Sequence, residues 1–147
     1  MRYDYKIIPV STPHPAYPDE DSIWVPVLPI RLSYGHGKQT PRIDAVIDSG
    51  SGDTLFRADI GDMLGINVLA GKQQPITGVV EGASLVAYYH HVNLWVGVGM
   101  MRIAAGFVPK MSVGALLGRH GFFENFIVNF DPTSNPPGFE IQRVSRA

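Results

Sequence analysis

Ala45-Val46-Ile47-Asp48-Ser49-Gly50-Ser51-Gly52-Asp53-Thr54-Leu55-Phe56 is the stretch on which the fold of this chain turns. A β-branched, apolar run favours a strand, and the Ser/Gly cluster after it favours a tight loop. The strand delivers one carboxylate, Asp48, to the mouth of that loop. Folding does not need an acid directly after Val-Ile, whereas chemistry can use one. Local physics allows two roles equally. Asp48 can be a general acid/base whose charge is held by backbone amides and by the hydroxyls of Ser49 and Ser51. It can also be a turn residue that caps its own loop. Gly50 and Gly52 let the backbone turn sharply and approach a neighbour closely.

Composition narrows the field. The chain has 147 residues, 45% of them hydrophobic and 17% charged. That suits one domain with a sizeable core and does not suit a disordered chain. A formal net charge of −1 points to neither nucleic acid nor an anionic membrane as partner. With no cysteine, disulfides, thiol catalysis and zinc–thiolate sites are excluded. The N-terminus carries no long apolar leader, and no apolar run approaches the roughly 20 residues of a membrane helix. A cytoplasmic protein is expected. Sixteen Gly and twelve Pro in short clusters mark many turns and favour a β-rich domain.

Along the chain, residues 3–10 read as a first strand and residues 11–22, with Pro13, Pro15 and Pro18, as an exposed arm. Trp24 to Tyr34 looks extended, but Pro26 and Pro29 each remove a ladder donor, which predicts an edge strand. Gly35 to Lys38 turns the chain, and Arg42 to Asp48 returns as a buried strand. Asp59 can cap a short helix whose Ile60, Met63 and Leu64 share a face and whose end suits Gly65. Gln74–Val80 and Ser84–Val96 form a long hairpin around Glu81-Gly82, and Met100–Val108 is a further strand. Val113–Leu117 is short and apolar, Arg119–Asn125 fits one helical turn, and Phe126–Phe130 and Phe139–Val144 close as strands.

Val46-Ile47-Asp48-Ser49-Gly50-Ser51 resembles the catalytic loop of aspartic proteases, two apolar residues followed by Asp-Thr/Ser-Gly-Ala/Ser. Leu116-Leu117-Gly118-Arg119 is similar to their second signature in its retroviral form. Between them, Thr77-Gly78-Val79-Val80-Glu81-Gly82 resembles the flap. Gly121 to Asp131 is similar to the closing segment of bacterial retropepsin-like domains, so the resemblance runs from about residue 24 to 144. It implies a mostly β chain: a closed, mostly antiparallel barrel-like lobe with one short helix and a flap hairpin. It implies one domain over 1–147, with 1–23 as strand and arm and 24–144 as lobe.

The resemblance also implies an activity, hydrolysis of peptide bonds by a water held between two carboxylates. Only one Asp-Ser-Gly is present, so a homodimer with Asp48 from each copy is implied, and no cofactor or metal. Asp48, Ser49 and Gly50 take the catalytic positions, Ser49 bracing the two loops across the axis. Ser51, Gly52, Gly78, Val79, Val80 and Gly82 take substrate-binding positions, with an extended peptide as partner. Apolar Ile76, Val79 and Val80 favour hydrophobic residues beside the cut. Ser51 donating to Asp48 would give an acid-leaning pH optimum. Leu116, Leu117, Gly118, Arg119 and Asp53 support the site, Gly118 passing beneath the loop and Arg119 pairing with Asp53. The same residues also suit a catalytically weak or inactive dimerisation or peptide-binding module on the same fold.

Other residues have plainer roles. His90 and His91 are adjacent in a strand and point to opposite faces, which does not suit one metal ion. His36 and His120 sit beside Gly in turns, where solvent suits them. Trp24, Trp95 and Phe122, Phe123, Phe126 and Phe130 are expected in the core, and Met100-Met101 in strand packing.

Overall fold

The computed structural model describes residues 1–76, 85–97 and 99–145. Its strands are β1 (Arg2–Asp4), β2 (Lys6–Pro9), β3 (Ser22–Val25), β4 (Val27–Ser33), β5 (Ile43–Ile47) and β6 (Leu55–Arg57), then the short helix α1 (Ala58–Met63). After it come β7 (Lys72–Ile76), β8 (Leu85–Val96), β9 (Gly99–Val108), β10 (Ala115–Leu117), β11 (Phe126–Asp131) and β12 (Gly138–Arg143).

The apolar periodicity of the strands explains the barrel. In β9, Met101, Ile103 and Ala105 point inward while Met100, Arg102 and Ala104 point out, the period of two that a half-buried strand requires. In β4, Leu28, Ile30 and Leu32 do the same. The strands run in the order β4-β5-β10-β6-β9-β8, and β4 also pairs with β8, so the sheet closes on itself as a six-strand barrel. Closure removes the unpaired edges of an open sheet. Four of the barrel's pairings are antiparallel, while β5–β10 and β6–β9 are parallel.

Strand β4 is therefore not the edge strand that its prolines predict. Residues 27–30 pair with β5 and residues 31–33 with β8. Pro29 lies in the half that β8 does not flank, where its missing donor leaves no ladder partner unsatisfied. Pro26 falls in the break between β3 and β4, and there its carbonyl accepts from the Ile47 amide at 3.0 Å.

Inside the barrel Phe56 and Phe107 are fully buried with ring centroids 5.8 Å apart. A second sheet, β1-β12-β11, joins the two ends of the chain and packs Phe139 against Tyr3. Phe122, Phe126, Phe139 and Ile141 belong to the same buried cluster as Leu28 and Phe56. Trp24 departs from its expected place in the core, being 46% exposed, and so does Phe130 at 42%. Trp24 belongs to β3, which among the described residues pairs only with β2.

Helix α1 begins two residues earlier than its pattern suggests. Arg57, not Asp59, stands at its N-cap without a side-chain cap bond, and Asp59 sits in the first turn, ion-paired to Arg57 at 2.8 Å. Ile60 is buried but Met63 is exposed, since Gly61 provides the close contact, packed against Val68 and Phe107. Gly65 follows with φ of +75°, the left-handed conformation that ends helices. Residues 119–125 form turns interrupted by a bridge from His120 to Asp53, and the Phe126 amide donating to the Phe122 carbonyl at 3.1 Å closes one helical turn.

Asp44 of β5 ties the N-terminal segment to the barrel. It accepts from Lys6 Nζ at 3.1 Å and Arg42 Nε at 3.0 Å. Burial pushes its carboxyl pKa up, but the hydrogen bonds from Arg42 and Lys6 outweigh this and hold it below its ordinary 3.8. A carboxyl whose native pKa is depressed stabilises the fold above its unfolded value, and that stability is lost as pH falls through the native value. Asp44→Asn should therefore reduce the acid sensitivity of unfolding below about pH 4, measured by thermal melts across pH. A larger effect is expected in the core: Phe56→Ala should lower the unfolding free energy by about 3–5 kcal/mol in denaturant titration.

Candidate active site

The loop that carries Asp48 is held from below. Strand β10 lies between β5 and β6, parallel to the first and antiparallel to the second. The chain that links β5 to β6, residues 48–54, must therefore cross over the end of β10. The Asp48 amide donates to the Leu117 carbonyl at 2.9 Å, continuing the β5–β10 ladder to the threshold of the loop. Beyond β10, the amides of Arg119 and His120 donate to the carbonyls of Ser51 and Gly52, each at 2.9 Å. Gly118 lies between these two sets of bonds. A Cβ there would overlap the Asp53 backbone carbonyl and stand 2.8 Å from the Ser51 oxygen, so only glycine lets the loop rest on this strand end.

The carboxylate of Asp48 is half-buried, and its Oδ1 accepts from the Gly50 amide at 2.9 Å. This bond is common to both roles that the sequence allows for Asp48, the turn and the poised acid. Ser49 and Gly50 are exposed at the loop tip. The Ser51 hydroxyl does not donate to the Asp48 carboxylate: it goes to the Asp53 carbonyl at 2.7 Å, while the Ser51 amide donates to the Asp48 carbonyl at 3.1 Å, so the loop closes on itself. The expected acid-leaning optimum thus loses its stated cause within one chain. Gly52 is exposed with open space where a side chain would be, and neither it nor Gly50 takes a left-handed φ.

Asp53 is not paired with Arg119. Its Oδ2 accepts from the Tyr89 hydroxyl at 2.7 Å, while exposed Arg119 holds the loop through its backbone amide. Burial, then the hydrogen bond and charge of Asp53, push the Tyr89 pKa far above its ordinary 10.0, so the phenol stays protonated as a donor. Tyr89 carries no local sequence signal for this contact, because strand pairing brings it there from 36 positions away. Thr54 was equally hidden. It is fully buried, donates to the His120 carbonyl at 2.8 Å and accepts from the Gly118 amide at 3.2 Å.

Above the loop lies a cleft of about 390 Å³. Asp48, Gly50 and Ser51 form one wall; Leu55, Ile76, Leu85, Val108, Met111 and Leu116 make much of the rest apolar. Ile76 and Leu85 face each other as the last described pair of the β7–β8 hairpin. The expected flap, Thr77 to Gly82 with Gly78, Val79, Val80 and Gly82, lies outside the described residues. His90 Nε2 donates to the Val68 carbonyl at 2.8 Å, and His91 is exposed on the other face of β8.

No protein-family model matches the chain, and no curated protein matches it. Solved structures do. A retropepsin-like aspartic protease from Rickettsia conorii superposes with a TM-score of 0.56 at 15% identity, covering 78% of this chain and 89% of the other. The protease of EIAV, solved with the inhibitor HBY-793, gives 0.47 at 12% identity over 65% of this chain and 82% of its own. The retroviral protease-like domain of Ddi1 from Leishmania major gives 0.44 at 13% identity over 64% and 73%. With its six-strand barrel and crossed loop, the chain has the retropepsin-like fold.

The anchoring of the loop can be measured directly. Thr54→Val keeps the shape but leaves a buried amide and carbonyl without their partner, and should cost about 1–3 kcal/mol of stability in chemical denaturation.

Proposed function

We propose that the chain is an aspartic endopeptidase that works as a homodimer, with Asp48 of each copy at the two-fold axis. The observation that carries this reading is the half-exposed Asp48 carboxylate, held by Gly50 over a strand end with no room for a side chain, and opening into an apolar cleft. The retropepsin-like fold supports it.

Two carboxylates about 3 Å apart cannot both ionise, so the pair shares one proton and titrates as a unit. The ionised member takes a proton from the bound water as its oxygen attacks the scissile carbonyl carbon. The protonated member hydrogen-bonds the carbonyl oxygen and gives up its proton as the tetrahedral intermediate forms. When the C–N bond breaks, the member that took the water's proton gives it to the leaving amide nitrogen while the other takes one from a hydroxyl of the intermediate, so the product acid forms and the dyad again holds one proton. Ser49, exposed beside Asp48, takes the bracing position across the axis, and Gly50 permits the approach of the two loops. The substrate is an extended peptide, bound by strand-like backbone hydrogen bonds. Ile76 and Leu116 favour apolar side chains beside the cut, and the sequence resemblance assigns Gly78, Val79, Val80 and Gly82 to substrate binding.

The test is cleavage of a diverse peptide library between about pH 3.5 and 7, with and without a statine-type inhibitor. Asp48→Asn is nearly isosteric and should lower turnover by about a thousandfold or more while fold and dimer persist. A wild-type dimer that cuts nothing and ignores the inhibitor would assign the cleft to peptide binding without hydrolysis.

A further inference from the structure

We infer that the N-terminal hairpin, β2 and β3, is the arm by which one copy of this chain grips a second copy beside the Asp48 loop, an inference that rests on the homodimeric reading above and names the surface it requires. Strands β2 and β3 form a two-stranded sheet of their own. Ile7 pairs directly with Trp24, which puts both side chains on one face, and they are 50% and 46% exposed. Ile8 pairs with Ile23 on the opposite face, where Ile23 is 45% exposed. The ribbon thus shows apolar side chains to solvent on both faces. A lone two-stranded ribbon is marginal in water, and grouped exposed apolar side chains mark a surface that another molecule covers.

The position of the arm selects the occupant. Pro26, the residue after β3, accepts from the amide of Ile47, the residue before Asp48. The arm therefore leaves the barrel at the end where Asp48 emerges. It does not roof its own cleft, since none of the residues that line the cleft comes from positions 1–25. Lys6 is tied to Asp44 on the barrel and the Tyr5 amide to the Pro137 carbonyl, so the base of the arm is fixed while Ile7 and Trp24 remain free. The chain carries a single Asp-Ser-Gly, so a dyad needs a second copy at this same end. A two-fold axis there brings each arm to the other copy and makes the contact isologous. A net charge of −1 opposes such self-association only weakly.

The experiment is sedimentation equilibrium over a dilution series of the full chain, run on wild type, Trp24→Glu and Ile7→Glu, with peptide hydrolysis followed in the same samples. Both positions are about half exposed, so both variants should keep the wild-type unfolding midpoint. The dimer dissociation constant should rise by about tenfold or more in each, with hydrolysis lost at low protein concentration and recovered at high. Tryptophan emission of the unmodified protein gives a second readout that needs no variant: it should shift to longer wavelength as the dimer dissociates and Trp24 meets water. A dissociation constant within about twofold of wild type in both variants, or emission unchanged through dissociation, would overturn the arm while leaving the homodimer intact. A wild type that hydrolyses peptides as a monomer would overturn the homodimeric reading and the arm with it.

Discussion

Everything at the candidate site depends on one steric constraint, the passage of the chain after β10 beneath the loop between β5 and β6. Two consecutive strands held apart by a third force their connection to cross that third strand's end. The crossing is tight enough that Gly118 has no space for a Cβ against Ser51 and Asp53. The amides of Arg119 and His120 then bond the loop carbonyls, and the buried Thr54 hydroxyl joins the two segments from below. Asp48 inherits its position from this clamp, because its own side chain has one hydrogen bond, to Gly50.

The clamp separates rigidity from chemistry. The polar groups that secure the loop are spent on partners other than Asp48: the Ser51 hydroxyl on the Asp53 carbonyl, the Asp53 carboxylate on Tyr89, the Thr54 hydroxyl on the His120 carbonyl. None of them consumes the carboxylate of Asp48. A loop made of Ser and Gly, intrinsically mobile, is thereby fixed by backbone bonds to a neighbouring strand, a cheaper route to order than side-chain packing since no long rotamers are immobilised. The apolar wall of the cleft is likewise the outer surface of a small buried cluster around Leu55, Ala87 and Val108, so the packing that holds the barrel also shapes the floor.

The legible parts of the site were those whose cause is local. The β-branched run before Asp48 announces a strand, and the Ser/Gly run announces its end. Gly118 was legible through Leu-Leu-Gly-Arg. Tyr89 and Thr54 were not, because neither differs from an ordinary strand residue until pairing brings Asp53 and His120 beside it. Arg119 misled for the complementary reason. Charge suggests an ion pair with Asp53, but the side chain points to solvent and a phenol reaches the acid first. Trp24 misled through hydrophobicity, which tells what is apolar and not what is covered. The prolines of β4 misled because a lost donor matters only where a neighbour strand runs, and β4 changes partner between Ile30 and Arg31.

By itself the sequence determined the alternation of strands and turns and the single acid on a Ser/Gly loop, because each follows from spacing within a few residues; the place of Gly118 beneath that loop came only with the resemblance of Leu116-Leu117-Gly118-Arg119 to a known signature. Tertiary structure alone decided which groups meet. Closure of β4 on β8, the insertion of β10 between β5 and β6, the hold of Tyr89 on Asp53 and the exposure of the β2–β3 ribbon all depend on contacts between residues far apart in the chain. Their partners are chosen by packing and backbone hydrogen bonding across the whole barrel, which no local window of sequence contains.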